Sequence, residues 1–195
     1  MNILHLDSAI TGDASVSRKL TADIVAKLKA SHPNASVTYR DLAKGVPAID
    51  GTWVEATRGT AGDASSAHAT VVATSDAYLK EVQDADVLVI GMPIYNFAIG
   101  APLKSWIDQI ARTGISFRYT EAGPEGLLTG KRAIVAYSAS GTPIGSELDH
   151  ASAYIRFILG FFGITDVEFV AADRLVFDRD ASLARASADL EKLAA

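Results

Sequence analysis

Apolar residues recur along this chain in two alternating rhythms. Unbroken apolar runs, of the kind that fill a strand buried on both faces, fall at Ile3-Leu4-His5-Leu6, at Val87-Leu88-Val89-Ile90-Gly91-Met92-Pro93-Ile94 and at Ala133-Ile134-Val135-Ala136-Tyr137. An alternating segment, Val37 and Tyr39 with Leu42 past Asp41, predicts a short strand after the first helix, and Val167-Glu168-Phe169-Val170 predicts the last. Between these runs the spacing changes to three and four. It does so at Leu20, Ile24, Val25 and Leu28, at Val71, Val72, Ser75, Tyr78, Leu79 and Val82, and at Leu103, Trp106, Ile107 and Ile110.

Helices are therefore predicted from Arg18 to His32-Pro33, over Ser66 to Val82, and from a start at Pro102, where the missing N–H costs nothing in a first turn. Two more are predicted, over Leu148 to Phe162 and over the polar stretch 180–194 with Leu183, Leu190 and Leu193. Residues 44–65 have no strong period; Trp53 is their large apolar anchor, and a surface excursion with some short helix is expected. Ile115-Ser116-Phe117-Arg118-Tyr119-Thr120 and Leu127-Leu128 flank the turn-rich Glu121-Ala122-Gly123-Pro124-Glu125-Gly126, a hairpin or excursion.

Strands alternating with helices imply parallel pairing with helices on both faces, an α/β doubly wound fold. Five strands suit the order 2-1-3-4-5 of flavodoxin-like sheets, whose ligands lie at the carboxyl edge. No repeat or linker interrupts the pattern, so a single domain over 1–195 is expected.

Composition narrows the partners. The chain has 195 residues, 49% of them apolar, and a net charge of −5, which argues against nucleic acid or an anionic membrane as a partner. It has no cysteine, hence no disulfide, thiolate nucleophile or Cys-based metal site. His5, His32, His68 and His150 lack metal-ligand spacing. No signal-peptide pattern or membrane-spanning apolar run is seen, so a soluble cytoplasmic domain is the expectation.

The chemistry collects at the predicted strand ends. The first strand runs into Ser8-Ala9-Ile10-Thr11-Gly12-Asp13-Ala14-Ser15-Val16-Ser17, a hydroxyl-rich turn that opens a helix. Free N–H groups and the helix dipole there favour an anion such as a phosphate, although Ser15 or Ser17 could simply cap the helix. The third strand ends in Ile94-Tyr95-Asn96-Phe97, whose aromatic and amide groups suit a flat heterocycle; taken alone, Tyr95 and Phe97 are better explained as core aromatics at a strand-to-helix corner. The fourth ends in Ser138-Ala139-Ser140-Gly141, a second source of hydroxyl and backbone donors. G-x-G-x-x-G, G-x-x-x-x-G-K-[ST] and G-x-S-x-G patterns are missing at these places, which speaks against a Rossmann dinucleotide site, triphosphate hydrolysis and a hydrolase elbow. A mononucleotide whose ring does the chemistry remains.

Those stretches, together with Phe117-Arg118-Tyr119-Thr120-Glu121, Gly123-Pro124-Glu125-Gly126 and Leu159-Gly160-Phe161-Phe162-Gly163-Ile164-Thr165-Asp166, give the chain its resemblance. Nearly end to end it resembles the FMN-dependent NADH-azoreductases, also described as FMN-dependent NADH:quinone oxidoreductases. The resemblance implies a flavodoxin-like homodimer with non-covalent FMN near the subunit interface. NADH, or alternatively NADPH, would be the donor for two-electron ping-pong reduction of quinones and aromatic azo compounds. By position, Ser15, Val16 and Ser17 would surround the phosphate, Ile94, Tyr95, Asn96 and Phe97 would lie along the flavin ring, and Ser138, Ala139, Ser140 and Gly141 would meet its far edge. Tyr119 and Phe161 would line the substrate pocket from the partner subunit, with Tyr119 or solvent as a proton source. No side chain is implied as an essential acid or base.

Two departures from the family pattern stand out. Ala9 replaces a usual Ser, leaving Ser8 as the neighbouring hydroxyl, and Ser138-Ala139-Ser140-Gly141 stands where Ser-Arg-Gly-Gly is common. A flavodoxin-type electron carrier without turnover and a flavin-free binding or hydrolytic domain are the rival readings; the 115–129 excursion counts against a carrier. Trp53, Trp106, Phe161 and Phe162 are expected either to fill the core or to contribute to a dimer contact.

Overall fold

The computed structural model describes residues 1–57 and 66–194. In chain order the elements are β1 (Asn2–Asp7), α1 (Val16–Ser31), β2 (Ser36–Asp41), α2 (Gly51–Thr57), α3 (Ser66–Asp84), β3 (Val87–Tyr95), β4 (Ala98–Ile99), α4 (Ala101–Ile110), β5 (Phe117–Thr120), β6 (Gly123–Gly126), β7 (Arg132–Ser138), α5 (Ser152–Phe161), β8 (Asp166–Ala172) and α6 (Arg179–Lys192). The main sheet runs β2-β1-β3-β7-β8 with every neighbouring pair parallel, which is the 2-1-3-4-5 order expected from the sequence. β4 adds a short antiparallel pairing to the end of β3, and β5–β6 form a separate hairpin.

Alternation along the central strands feeds two cores, one on each face of the sheet. Leu4 and Leu6, then Leu88, Ile90 and Met92, then Ala133, Val135 and Tyr137 pack with α3, α4 and α5. Ile3, Val87, Val89, Ile134 and Ala136 point the other way, onto Val16, Leu20, Ile24 and Leu28 of α1 and Ala186 of α6. Burial on both faces explains why these strands read as unbroken apolar runs rather than as alternation. Trp106 is wholly buried, and its indole N–H finds no hydrogen-bond partner among the described residues. The ring burial, worth about 4–6 kcal/mol, outweighs the roughly 1–3 kcal/mol lost at the unpaired N–H.

The excursion after β2 is held by Trp53 on α2. It is 7% exposed, and its Nε1 donates to Gln109 Oε1 of α4 at 3.0 Å. Gln109 Nε2 in turn donates to the Pro47 carbonyl at 2.9 Å. The rest of the excursion, 58–65, lies outside the described residues.

One boundary differs from expectation. α5 begins at Ser152 rather than Leu148, because the Asp149 carboxylate organises the preceding turn. It accepts from the amides of Gly145, Ala151 and Ser152 at 2.8, 2.9 and 3.0 Å, and from the Ser152 hydroxyl. Leu148, assigned to the helix by its spacing, lies out in solvent. Trp53, Trp106 and Phe162 are all buried, so core packing accounts for them and a dimer contact is not needed to explain them. Among the described residues no helix is long and apolar enough to cross a membrane.

Candidate functional site

Parallel strands put all their carboxyl ends on one edge, so the loops after β1, β3, β7 and β8 meet there. The β1 loop enters α1 through Ser15, which caps the helix with extended backbone and takes the Arg18 amide on its hydroxyl at 3.3 Å. Ser15 and Ser17 hydroxyls lie 3.0 Å apart, both buried. Capping does not exhaust the helix start, since a side-chain cap satisfies one amide and leaves the others of the first turn. Ser8 is different: its hydroxyl is buried and donates to the Gly91 carbonyl of β3 at 2.7 Å. That bond pins the loop to the sheet.

Arg18 faces away from the loop's open side. Its guanidinium donates to the Ala9 carbonyl at 2.8 Å, to Asp41 at 2.6 and 3.1 Å and to the Tyr39 hydroxyl at 3.1 Å. The paired hydrogen bonds from Arg18 pull the Asp41 carboxyl below its usual range and raise the arginine in turn. Burial, with Asp7 alongside, raises the Tyr39 hydroxyl. Ala9 itself is fully buried, so a hydroxyl is missing there but its carbonyl anchors Arg18.

The β3 end is tied to the same loop, with the Tyr95 hydroxyl accepting the Ile10 amide at 3.1 Å. Asn96 and Phe97 follow at φ 49° and 70°, a left-handed pair that turns β3 into β4. Asn tolerates that region; Phe does not, and such a residue costs about 1–3 kcal/mol. The Phe97 carbonyl accepts from the His150 amide at 3.1 Å, which helps hold the turn. Gly100 makes room beside it: a Cβ there would come within 2.9 Å of the Tyr95 ring.

The β7 end, Ser138 to Gly141, is laced to the segment after β8. Ala139 N donates to Ala172 O at 3.1 Å, Leu175 N to Ala139 O at 3.2 Å and Val176 N to Ser140 O at 2.9 Å. Between these loops lies a cavity of about 440 Å³ lined by Thr11, Ala14, Ser15, Val16, Pro93, Ile94, Tyr95, Ser138, Ala139, Ser140, Leu175, Val176 and Arg179. Its size falls within the roughly 300–1,000 Å³ of small-molecule sites. Of the residues singled out from sequence, Ser15, Val16, Ile94, Tyr95, Ser138, Ala139 and Ser140 share this wall. Ser8, Ser17, Asn96, Phe97 and Gly141 adjoin it in sequence without lining it.

Thr11, Ala14 and Pro93 belong to loops marked in the sequence, whereas no motif in the sequence pointed to Leu175, Val176 or Arg179. The signal for the last three was available: β8 is parallel to its neighbours, so the segment after it had to emerge on the same edge.

Tyr119 and Phe161 lie elsewhere in the chain. Both pack on Phe117, with ring centroids 5.6 and 4.6 Å away, and Tyr119 is 71% exposed at the hairpin. Tyr119 borders a separate hollow of about 530 Å³ with Trp53, Arg112 and Phe117. A groove of about 590 Å³ runs along Ala69, Ala73 and Ala77 of α3. Both are larger than the edge cavity, but neither gathers strand-end loops. Among the described residues no group of His, Asp and Glu could hold a metal.

A hydroxyl-bearing turn, an aromatic strand end and a second hydroxyl loop around one edge cavity define a flavodoxin-like α/β protein built to hold a small anionic ring compound. A family model described as a flavodoxin-like fold matches residues 1–194. The FMN-dependent NADH:quinone oxidoreductase of Cereibacter sphaeroides is 54% identical over 193 residues, covering 99% of this chain and 98% of that one. One from a Jannaschia species is 49% identical over 194 residues, covering 100% and 99%. The crystal structure of an FMN-dependent NADH-azoreductase from Bacillus anthracis in complex with FMN superposes with TM-score 0.90 at 25% identity, covering 98% of this chain and 97% of its own. The chain belongs to the flavodoxin-like family, among the FMN-dependent NADH:quinone oxidoreductases.

Proposed function

We propose that this chain is an FMN-dependent oxidoreductase that takes electrons from NADH and passes them to quinones and aromatic azo compounds. The observation that carries the reading is the convergence of the β1, β3 and β7 loops on one cavity whose lining changes character from end to end. Thr11 and Ser15 supply hydroxyls near the start of α1, where a phosphate is favoured. Ile94 and Tyr95 supply an apolar and aromatic wall for a ring, and Ser138 and Ser140 supply polar groups opposite. The donor set fits FMN. When bound, FMN supplies the two-electron carrier chemistry.

The chain's own residues then position and enclose. The Tyr95 hydroxyl, by taking the Ile10 amide, fixes the phosphate loop against the ring wall. The strained Asn96-Phe97 turn, immediately after that wall, would present an amide and an aromatic ring to the bound flavin, its backbone cost met by the surrounding packing. Ser8 and Ser17 act as supports: one ties the loop to β3, and the other bonds the Ser15 hydroxyl. Gly141 closes the opposite loop near Phe177. No acidic or basic side chain in the cavity wall is asked to exchange a proton; Tyr119, from a neighbouring subunit, or water serves.

We infer further that the chain works as one domain and as a homodimer in the cytoplasm. Tyr119 lies away from the cavity of its own chain, and Phe157 and Leu148 add large apolar side chains that stand 69% and 55% exposed. The rival reading, an electron carrier, is opposed by the β5–β6 hairpin, an aromatic-bearing element that a bare electron-exchange face does not need.

The test is steady-state turnover of protein loaded with FMN. NADH oxidation that requires both FMN and a quinone or azo dye supports the proposal. Bound FMN with no NADH oxidation would favour the carrier, and protein that stays colourless with added FMN would exclude both.

A further inference from the structure

The edge cavity contains one feature that the loops singled out from sequence do not provide. Among the described residues Arg179 is the single Lys or Arg side chain on its wall, shared with Thr11 and Ser15. Its guanidinium makes no hydrogen bond, ion pair or ring contact among the described residues, and it is exposed. Arg18, adjacent to the phosphate loop in sequence, is by contrast consumed by Asp41, Tyr39 and the Ala9 carbonyl. Lys19 does not line the cavity. The acidic neighbours of Arg179 in sequence are not ion-paired with it among the described residues: Asp178 caps the helix, accepting the Ala181 amide at 2.9 Å, and Asp180 is exposed.

We propose that Arg179 is the cationic contact for the phosphate of the bound mononucleotide and the residue that makes this chain prefer FMN over riboflavin. The inference rests on the FMN reading given above. Two features of the loop lead to it. The phosphate loop has Ala9 in place of a hydroxyl, and the cation nearest to it in sequence is already paired. A dianionic phosphate held by hydroxyls and amides alone lacks a countercharge, and a free guanidinium on the same wall is the group suited to bind it as a planar fork. The backbone leading into α6 is anchored at this edge, because Leu175 and Val176 are bonded to Ala139 and Ser140 only a few residues upstream.

The test compares binding of FMN and riboflavin to wild type, Arg179→Gln and Arg179→Lys by quenching of flavin fluorescence, at low and high salt. FMN affinity is expected to fall about tenfold in Arg179→Gln, while riboflavin affinity stays unchanged and the salt dependence of FMN binding weakens. Arg179→Lys should recover part of the preference. Equal loss for both flavins, or no loss for either, would overturn the proposal. So would an unchanged flavin preference with a raised KM for NADH in the loaded enzyme, which would assign the guanidinium to the dinucleotide's phosphates. If the wild type binds neither flavin, the FMN reading itself fails; if it binds FMN and only the variant result is contrary, Arg179 alone is misassigned.

Discussion

Tyr95 is fixed from two directions, by the Ile10 amide on its hydroxyl and by the space that Gly100 leaves beside its ring. Replacing Gly100 with Ala puts a methyl 2.9 Å from that ring. The ring must shift, since the neighbouring backbone is part of β4 and α4. The variant is expected to lose about 1–3 kcal/mol of stability and to bind FMN more weakly, as read by thermal denaturation and flavin titration together. Phe97 gives the opposite sign. At φ 70° it is a strained residue half exposed to solvent. Phe97→Asn, a residue at ease in that region, should leave the apo protein at least as stable while weakening FMN binding. Apo protein that melts markedly lower would mean that Phe97 is held for packing rather than for the ligand. The residue types at these positions were legible in the sequence. The left-handed turn was not, because nothing local forces Phe97 into it; the β3–β4 pairing and the His150 amide do.

At the scale of elements, the start of α5 depends on one carboxylate. Burial opposes the charge on Asp149, but the Ser152 hydroxyl and the amides of Gly145, Ser152 and Ala151 outweigh it and hold the group below the usual carboxylate range. A folded value below the unfolded one means that this contribution is present above the ordinary aspartate pKa of about 3.9. It is lost as pH falls through the lower folded value. Asp149→Ala should therefore cost about 1–3 kcal/mol at neutral pH, and denaturation midpoints of variant and wild type should converge in acid. A gap that persists undiminished well below pH 4 would contradict the role given to the charge. The same residue explains why the helix start was misread. Leu148 has the right spacing from Phe162 to look helical, whereas the turn that excludes it is built from side-chain bonds to backbone that periodicity cannot register.

The hairpin docks through another local fact. A Cβ on Gly126 would fall 2.1 Å from the Gly163 nitrogen, so the β6 backbone lies directly on the α5–β8 turn. No flexible side chain is there to yield, and Gly126→Ala should undock the hairpin and carry Tyr119 with it. The expected reading is a stability loss of about 3 kcal/mol or more. Sequence marked this segment as turn-rich but could not tell that its glycine was reserved for another backbone.

For the whole molecule, fold order and sheet topology followed from the buried-strand runs because both faces of the central strands are covered, and that burial is what the runs encode. The edge cavity was legible through the loops after β1, β3 and β7. It was missed after β8, where Leu175, Val176 and Arg179 carry no recognisable pattern and matter only through their position. Subunit association was inferred from resemblance, and of the large aromatics weighed in its favour Trp53, Trp106 and Phe162 are core while Phe161 is only partly buried. Exposed Phe157 and Tyr119 now carry the expectation. The protein should elute as a dimer in sizing chromatography at micromolar concentration, and Phe157→Glu should shift it toward monomer. A wild-type monomer would remove Tyr119 from the site.

NADH-to-quinone electron transfer through the flavin is tested by anaerobic rapid mixing of the FMN-loaded protein with one equivalent of NADH, followed by a quinone. The flavin's visible absorbance should bleach on the first mixing and return on the second, with two electrons accounted for in each half. Bound FMN whose absorbance does not change with NADH would contradict it.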